Sequence, residues 1–145
     1  MPDDLLVFYH PETLREICAR RGYLLERKAQ GELDTIDAWI WMIALNRLTG
    51  HSPGFFSVYS LPPNQAVSVK AQKKINAARD QTPPRRRVAD IICRKTSQLI
   101  ADCDEAVFQS LSASRSGARP LTGDSSQRPI GKLSGSAAPA GPEAV

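Results

Sequence analysis

Nine cationic side chains fall between residues 70 and 95: Lys70, Lys73, Lys74, Arg79, Arg85, Arg86, Arg87, Arg94 and Lys95. Only Asp80 and Asp90 oppose them, a local balance of +7 in a chain whose net charge is +4. Ammonium groups and guanidinium forks are the side-chain donors that recognise phosphate. Lys70, Lys73 and Lys74 stand at i, i+3 and i+4, which places them along one side of a helix. Arg85, Arg86 and Arg87 follow Thr82-Pro83-Pro84, which reads as a helix start with Thr82 as cap and Pro83 at the first position. The three arginines would then occupy a first turn where the macrodipole is already positive, each disfavoured by about 0.3–1 kcal/mol at low salt. A bound anion reverses that penalty, because open backbone N–H groups, the dipole and the guanidiniums all favour negative charge. Few aromatic residues interleave with the charges, so the expected ligand is a nucleic-acid backbone, DNA or RNA, held without strong sequence readout.

The role implied is a regulator or a subunit of a larger nucleoprotein complex, using those nine residues. The alternative is a helical protein–protein adaptor or inhibitor with no nucleic-acid role, whose basic face meets an acidic partner.

Other chemistry is thinly provided. His10 and His51 each sit beside a proline-containing turn, where capping or surface roles are ordinary. Cys18 shares a helical stripe with Leu14 and Ile17 and reads as a small core hydrophobe. Cys93 and Cys103 are ten residues apart on one expected helix, on directions too divergent to share a metal. Asp102, Asp104 and Glu105 point different ways on a helix and read as a solvated face. There is no glycine-rich phosphate loop, HExxH or GxSxG pattern. No enzyme, metal or cofactor is expected. The three cysteines form no close ligand pair, and the first residues, MPDDLLVFYH, are acidic where an export signal is basic. The expected compartment is the cytoplasm.

The elements that must position the cations are organised around Asp34–Gly50, DTIDAWIWMIALNRLTG, which holds both tryptophans. Its apolar residues cover nearly the whole circumference, so it reads as a buried central helix or a membrane span. The uncharged run covers only about 14 Å at 1.5 Å per residue, far short of a bilayer core of about 30 Å. No membrane role is expected. Asp34 is the expected N-cap, with Asp37 in the first turn, and Gly50 the left-handed stop.

Before it, His10-Pro11-Glu12 starts a helix that Gly22 stops, and a second short helix runs from Tyr23 to Gln30, ended by Gly31. A helix-turn-helix reading of Leu14–Gly31 fails on pattern, since Lys28 and Gly31 stand where packing residues belong and Leu24 and Leu25 where base readers belong. A plain helical hairpin is expected. Leu5–Tyr9 and Phe55–Leu61 have strand-type content and are candidates for a minor two-stranded accessory. Asn64 is an available cap for a helix from Gln65 to Asp80, with Val67, Ala71, Ile75 and Ala78 as its apolar stripe. The last helix is expected to run about 29 residues to Ser112, on the periodicity of Val88, Ile91, Ile92, Leu99, Ile100, Cys103, Val107 and Leu111. Self-association through it is one expected partner mode.

The fold class is therefore mainly α: a helical domain over 1–112 and a Ser/Gly/Pro/Ala-rich tail over 113–145. That tail's composition cannot bury enough apolar surface to offset chain entropy, so disorder is expected.

Overall fold

A computed structural model of the chain describes residues 3–61 and 67–118. The chain divides into two units, Met1–Asp104 and Glu105–Val145. After a 3-10 turn at Asp3–Val7, the helices are α1 (Pro11–Gln30), α2 (Thr35–Asn46), α3 (Val69–Ala78), α4 (Val88–Ala101) and α5 (Glu105–Gly117). The mainly α class read from the sequence holds.

Helix α1 begins as its residues dictate. The His10 Nδ1 accepts the Glu12 N–H at 3.2 Å, and Pro11 opens the first turn. It ends at Gly31, which adopts φ 73° while its N–H bonds the Lys28 carbonyl. The glycine at 22, expected to stop the helix, does not. A mid-helix glycine costs about 1 kcal/mol against alanine, too little to interrupt a helix held at both ends and packed along its length. The expected hairpin is one 20-residue rod, and no turn remains for a helix-turn-helix.

Helix α2 starts in a capping box, with the Asp34 carboxylate accepting the Asp37 N–H at 2.8 Å and the Asp37 carboxylate facing the Asp34 N–H. Arg27 of α1 locks this corner. Its Nε donates to Asp37 at 2.5 Å, and another of its nitrogens donates to the Glu32 carbonyl at 2.6 Å. The hydrogen bond from Arg27 holds the Asp37 carboxyl below its ordinary pKa.

Helix α2 is not buried all round, contrary to the expectation from its apolar circumference. Ile43 is buried and Trp39, Ile40, Trp41 and Ala44 are half-covered. Ile36, Met42 and Leu45 are 69%, 42% and 59% exposed. The helix ends at Asn46, and Gly50 has no left-handed backbone. Gly50 serves a different purpose, since a Cβ there would lie 2.5 Å from the buried Phe55 ring.

The expected accessory strand pair does not form among the described residues. The 55–61 segment touches the 5–9 segment through one backbone bond, Val58 N–H to Phe8 carbonyl at 2.8 Å. The one isolated bridge among the described residues is Gly50 with Tyr59, and there is no named strand. Phe8 and Tyr9 instead join Leu14, Ile43, Phe56, Val88, Ile91 and Ile92 in the core.

Helix α3 starts later than expected, capped by Ser68, whose hydroxyl accepts the Ala71 N–H at 3.1 Å. The proposed Asn64 cap lies outside the described residues. The helix buries a glutamine rather than only its apolar stripe. Gln72 donates to the Tyr59 carbonyl and to Asn76, and Asn76 donates to the Val7 carbonyl at 2.8 Å.

Residues 81–87 carry no helix where the sequence predicts a helical first turn, and Arg87 has extended backbone. Each residue before a proline is steered away from helical backbone, and Thr82 and Pro83 both precede one. Helix α4 begins only at Val88, with no side-chain cap of its own. Helix α1 supplies the partners instead. The Thr13 hydroxyl accepts the Arg86 N–H and donates to the Arg86 carbonyl, each at 2.8 Å, and the Glu16 carboxylate accepts the Val88 N–H at 2.8 Å.

The expected 29-residue helix breaks at Asp102–Asp104. Aspartate side chains compete with helix backbone for hydrogen bonds, a signal that apolar periodicity ignores. Helix α5 extends to Gly117, past the expected boundary at 112. Residues 119–145, most of the expected tail, lie outside the described residues.

Two stability measurements follow. Gly22→Ala should raise stability by about 0.5–1 kcal/mol in urea unfolding, because the position is helical, exposed and open. Loss of stability would mean that the chain turns there. Thr13→Val leaves the part-buried Arg86 N–H and carbonyl without their partner and should cost about 1–3 kcal/mol. An unchanged midpoint would remove the clasp from the account.

Candidate functional site

Helices α1 and α2 both carry more apolar surface than the core uses. On α1, Ile17, Arg20, Arg21, Leu24 and Leu25 repeat at i, i+3, i+4, i+7 and i+8, one continuous face. On α2, Trp41, Ala44 and Leu45 do the same, and Leu48 extends the row beyond the helix end. Phe56 and Val88 complete the lining of a groove of about 340 Å³.

Its walls are apolar, and its charged lining residues are Arg20 and Arg21, with no carboxylate. The Nε of Arg20 is buried and has no hydrogen-bond partner among the described residues. A buried donor left unpaired costs free energy that a fitting acceptor recovers. Trp41 is steadied from outside, with the Lys28 ammonium 5.5 Å from its ring centroid. Trp39 turns the other way and donates through Nε1 to the Thr96 hydroxyl at 3.0 Å, tying α2 to α4. The two tryptophans therefore divide between groove and core.

The nine cations of the expected phosphate track are distributed as follows. Lys70, Lys73 and Lys74 are exposed on α3. Arg79 lies with its guanidinium carbon 3.8 Å from the Tyr59 ring centroid. Arg85 is exposed in the segment before α4. Arg86 turns inward, where one guanidinium nitrogen donates to the carbonyls of Ser52 and Phe55. Burial lowers its pKa from the ordinary arginine value. Arg87 is 3.7 Å from Asp90, both well exposed, a pairing of the class worth about 0–1 kcal/mol.

Arg94 and Lys95 lie on α4 and share a small hollow with Arg47, Gly54, Ile91 and Gln98. Helix α3 packs on the 3-10 turn, whereas α4 packs on α1 and α2. The two basic helices therefore rest on different neighbours. Arg47 was absent from the sequence-derived set. It stands alone between Asn46 and Leu48, and only the turn after α2 carries it to α4.

The cysteines also depart from expectation. Cys18 is exposed, as are Cys93 and Cys103, and all three are free thiols. With α1 unbroken, Leu14 faces the core and Ile17 the groove, while Cys18 falls outside both. Among the described residues no group of three or more His, Cys, Asp or Glu side chains is placed to hold a metal. No described helix is long and apolar enough to cross a membrane.

Comparison with protein-family models, with curated proteins and with solved structures found no match for the chain.

Proposed function

We propose that this protein is a helical adaptor whose α1–α2 groove seats an amphipathic helix of a partner protein. The observation that carries this reading is the groove itself. Two helices turn apolar residues toward a common space, and Arg20 and Arg21, with no carboxylate ion-pair partner among the described residues, stand among them. Helix-in-groove recognition uses apolar anchors at i, i+3 or i+4 and i+7 on the incoming helix, which Ile17, Leu24 and Leu25 of α1 and Trp41, Ala44 and Leu45 of α2 would receive. The arginines select the partner's flanks: a helix edged with glutamate or aspartate meets Arg20 and Arg21, and the buried Arg20 Nε gains an acceptor.

The test uses two synthetic amphipathic helices with the same apolar face, one flanked by glutamate and one by lysine. Fluorescence anisotropy should show the glutamate peptide binding about tenfold tighter or more, a difference of about 1.4 kcal/mol. Leu45→Glu should abolish binding while leaving the fold intact, because Leu45 is largely exposed. Equal binding of both peptides, or binding that survives Leu45→Glu, would refute the proposal. So would a dimer of the full chain dissolved by Leu45→Glu, since a second copy would then fill the groove.

A second reading keeps the basic surface as a nucleic-acid-backbone contact. It is favoured by six cations with no carboxylate partner among the described residues: Lys70, Lys73, Lys74, Arg85, Arg94 and Lys95. On this reading log affinity for single-stranded polynucleotide falls linearly with log salt, by about 0.7 per phosphate contacted. Replacing Lys70, Lys73 and Lys74 together by Glu should flatten that slope. An affinity indifferent to salt would dispose of phosphate neutralisation.

A further inference from the structure

Just past the end of α2, its C-cap Arg47 and the loop residue Gly54 share a hollow of about 50 Å³ with Ile91, Arg94, Lys95 and Gln98 of α4. Three of the six are cations and none is an acid. Like charges brought to one wall repel, and folding gains nothing from the arrangement unless something negative lies between them. None of the three has an ion-pair partner among the described residues.

Arg47 is the built part of the site. Its guanidinium carbon lies 4.5 Å from the centroid of the buried Phe55 ring, which fixes the plane of the fork. Its backbone is tied on both sides: the N–H donates to the Ala44 carbonyl at 3.1 Å, and the carbonyl accepts the Phe56 N–H at 2.8 Å. Its Nε is buried and has no hydrogen-bond partner among the described residues. The stack on Phe55 and the two backbone bonds hold the residue at the wall of the hollow.

Helix α4 completes the wall. Ile91, Arg94, Lys95 and Gln98 stand at i, i+3, i+4 and i+7, one face of the helix, so Ile91 forms the dry end and the amide of Gln98 a further donor. Lys95 is half-buried, while Arg94 is exposed at the mouth. A volume of about 10–15 Å³ by this measure admits one water, so the hollow has room for a group of phosphate size and not for a nucleobase or sugar.

The geometry points to an oxyanion site in which Arg47, Arg94 and Lys95 hold one phosphate group. Arg47 supplies a guanidinium held against Phe55, Lys95 a half-buried point charge, and Arg94 an exposed fork for the outer oxygens. The site is separate from the groove. It stands whether the phosphate is a free ion, a terminal monoester or one link of a polynucleotide.

The full chain, labelled with nitrogen-15, is titrated with inorganic phosphate at constant ionic strength while the arginine Nε–Hε resonances are followed. The Arg47 resonance, assigned by its absence in Arg47→Gln, should shift along a saturable curve. Lys95→Gln, which leaves the Phe55 contact intact, should weaken the apparent affinity tenfold or more, and Lys73→Gln should leave it unchanged. Two further arms name the source. A short oligothymidylate that competes equally with and without a 5′-phosphate identifies a backbone link. One that competes only when phosphorylated identifies a terminal group, and competition by neither leaves the free ion as ligand. A shift that never saturates, one that chloride reproduces, or one that Lys95→Gln leaves untouched would overturn the site. An adaptor groove that fails its peptide test leaves these outcomes unaffected.

Discussion

The packing of the first unit depends on how three consecutive residues are held. Arg86, Arg87 and Val88 run beside the first turns of α1, and Thr13 and Glu16 of that helix satisfy the backbone of Arg86 and Val88. Thr13 and Glu16 are three apart, so one helical face presents both. Two consequences follow from this grip. Helix α4 starts at Val88 because its first N–H finds a carboxylate there, and that phase sends Val88, Ile91 and Ile92 into the core. The Arg86 side chain is delivered to the carbonyls of residues 52 and 55, where it braces the loop that carries Phe55 and Phe56. Val88 and Phe56 in turn help to line the groove. Core, loop and groove thus share one set of polar contacts, and the half-buried Arg86 charge is tolerated because carbonyl oxygens receive it.

The composition of α2 is explained by the division of its surface. A helix apolar all round fits either complete burial or two separate apolar tasks. Here Ile43, with Trp39 and Ile40 beside it, meets the core, while Trp41, Ala44 and Leu45 face the groove. Its low amphipathicity therefore records two apolar faces rather than a central position. Met42 and Ile36 remain in water, adding to an apolar exposure that marks interaction surfaces more often than chance.

Charge in the 70–95 segment serves several ends that composition merges into one. Arg86 is a structural ligand of backbone carbonyls, Arg79 covers an aromatic ring, and Arg87 has a carboxylate nearby. The lysines of α3 are solvated, whereas Arg94 and Lys95 converge with an arginine nearly fifty residues earlier in the chain. Counting charges along a sequence measures the long-range field. It does not separate a guanidinium turned inward from one turned to solvent.

Sequence alone determined the helical class, the starts of α1 and α2 and the stop at Gly31. Each of these rests on chemistry within four residues: His10 with Pro11, Asp34 with Asp37, a glycine free to turn left-handed. It also located the surplus of apolar residues on α2 and of cations after residue 70. Tertiary structure decided the rest, because the deciding partners are distant in the chain. Gly22 stays helical because α1 is packed on either side of it. Gly50 is small because Phe55 closes over it. Residues 81–87 carry no helix because paired prolines refuse one and Thr13 holds the backbone of Arg86. The groove needs residues 17–25 beside 41–48, and the anion hollow needs Arg47 beside Arg94 and Lys95. No local rule relates those stretches; only the packing of a shared core brings them within reach.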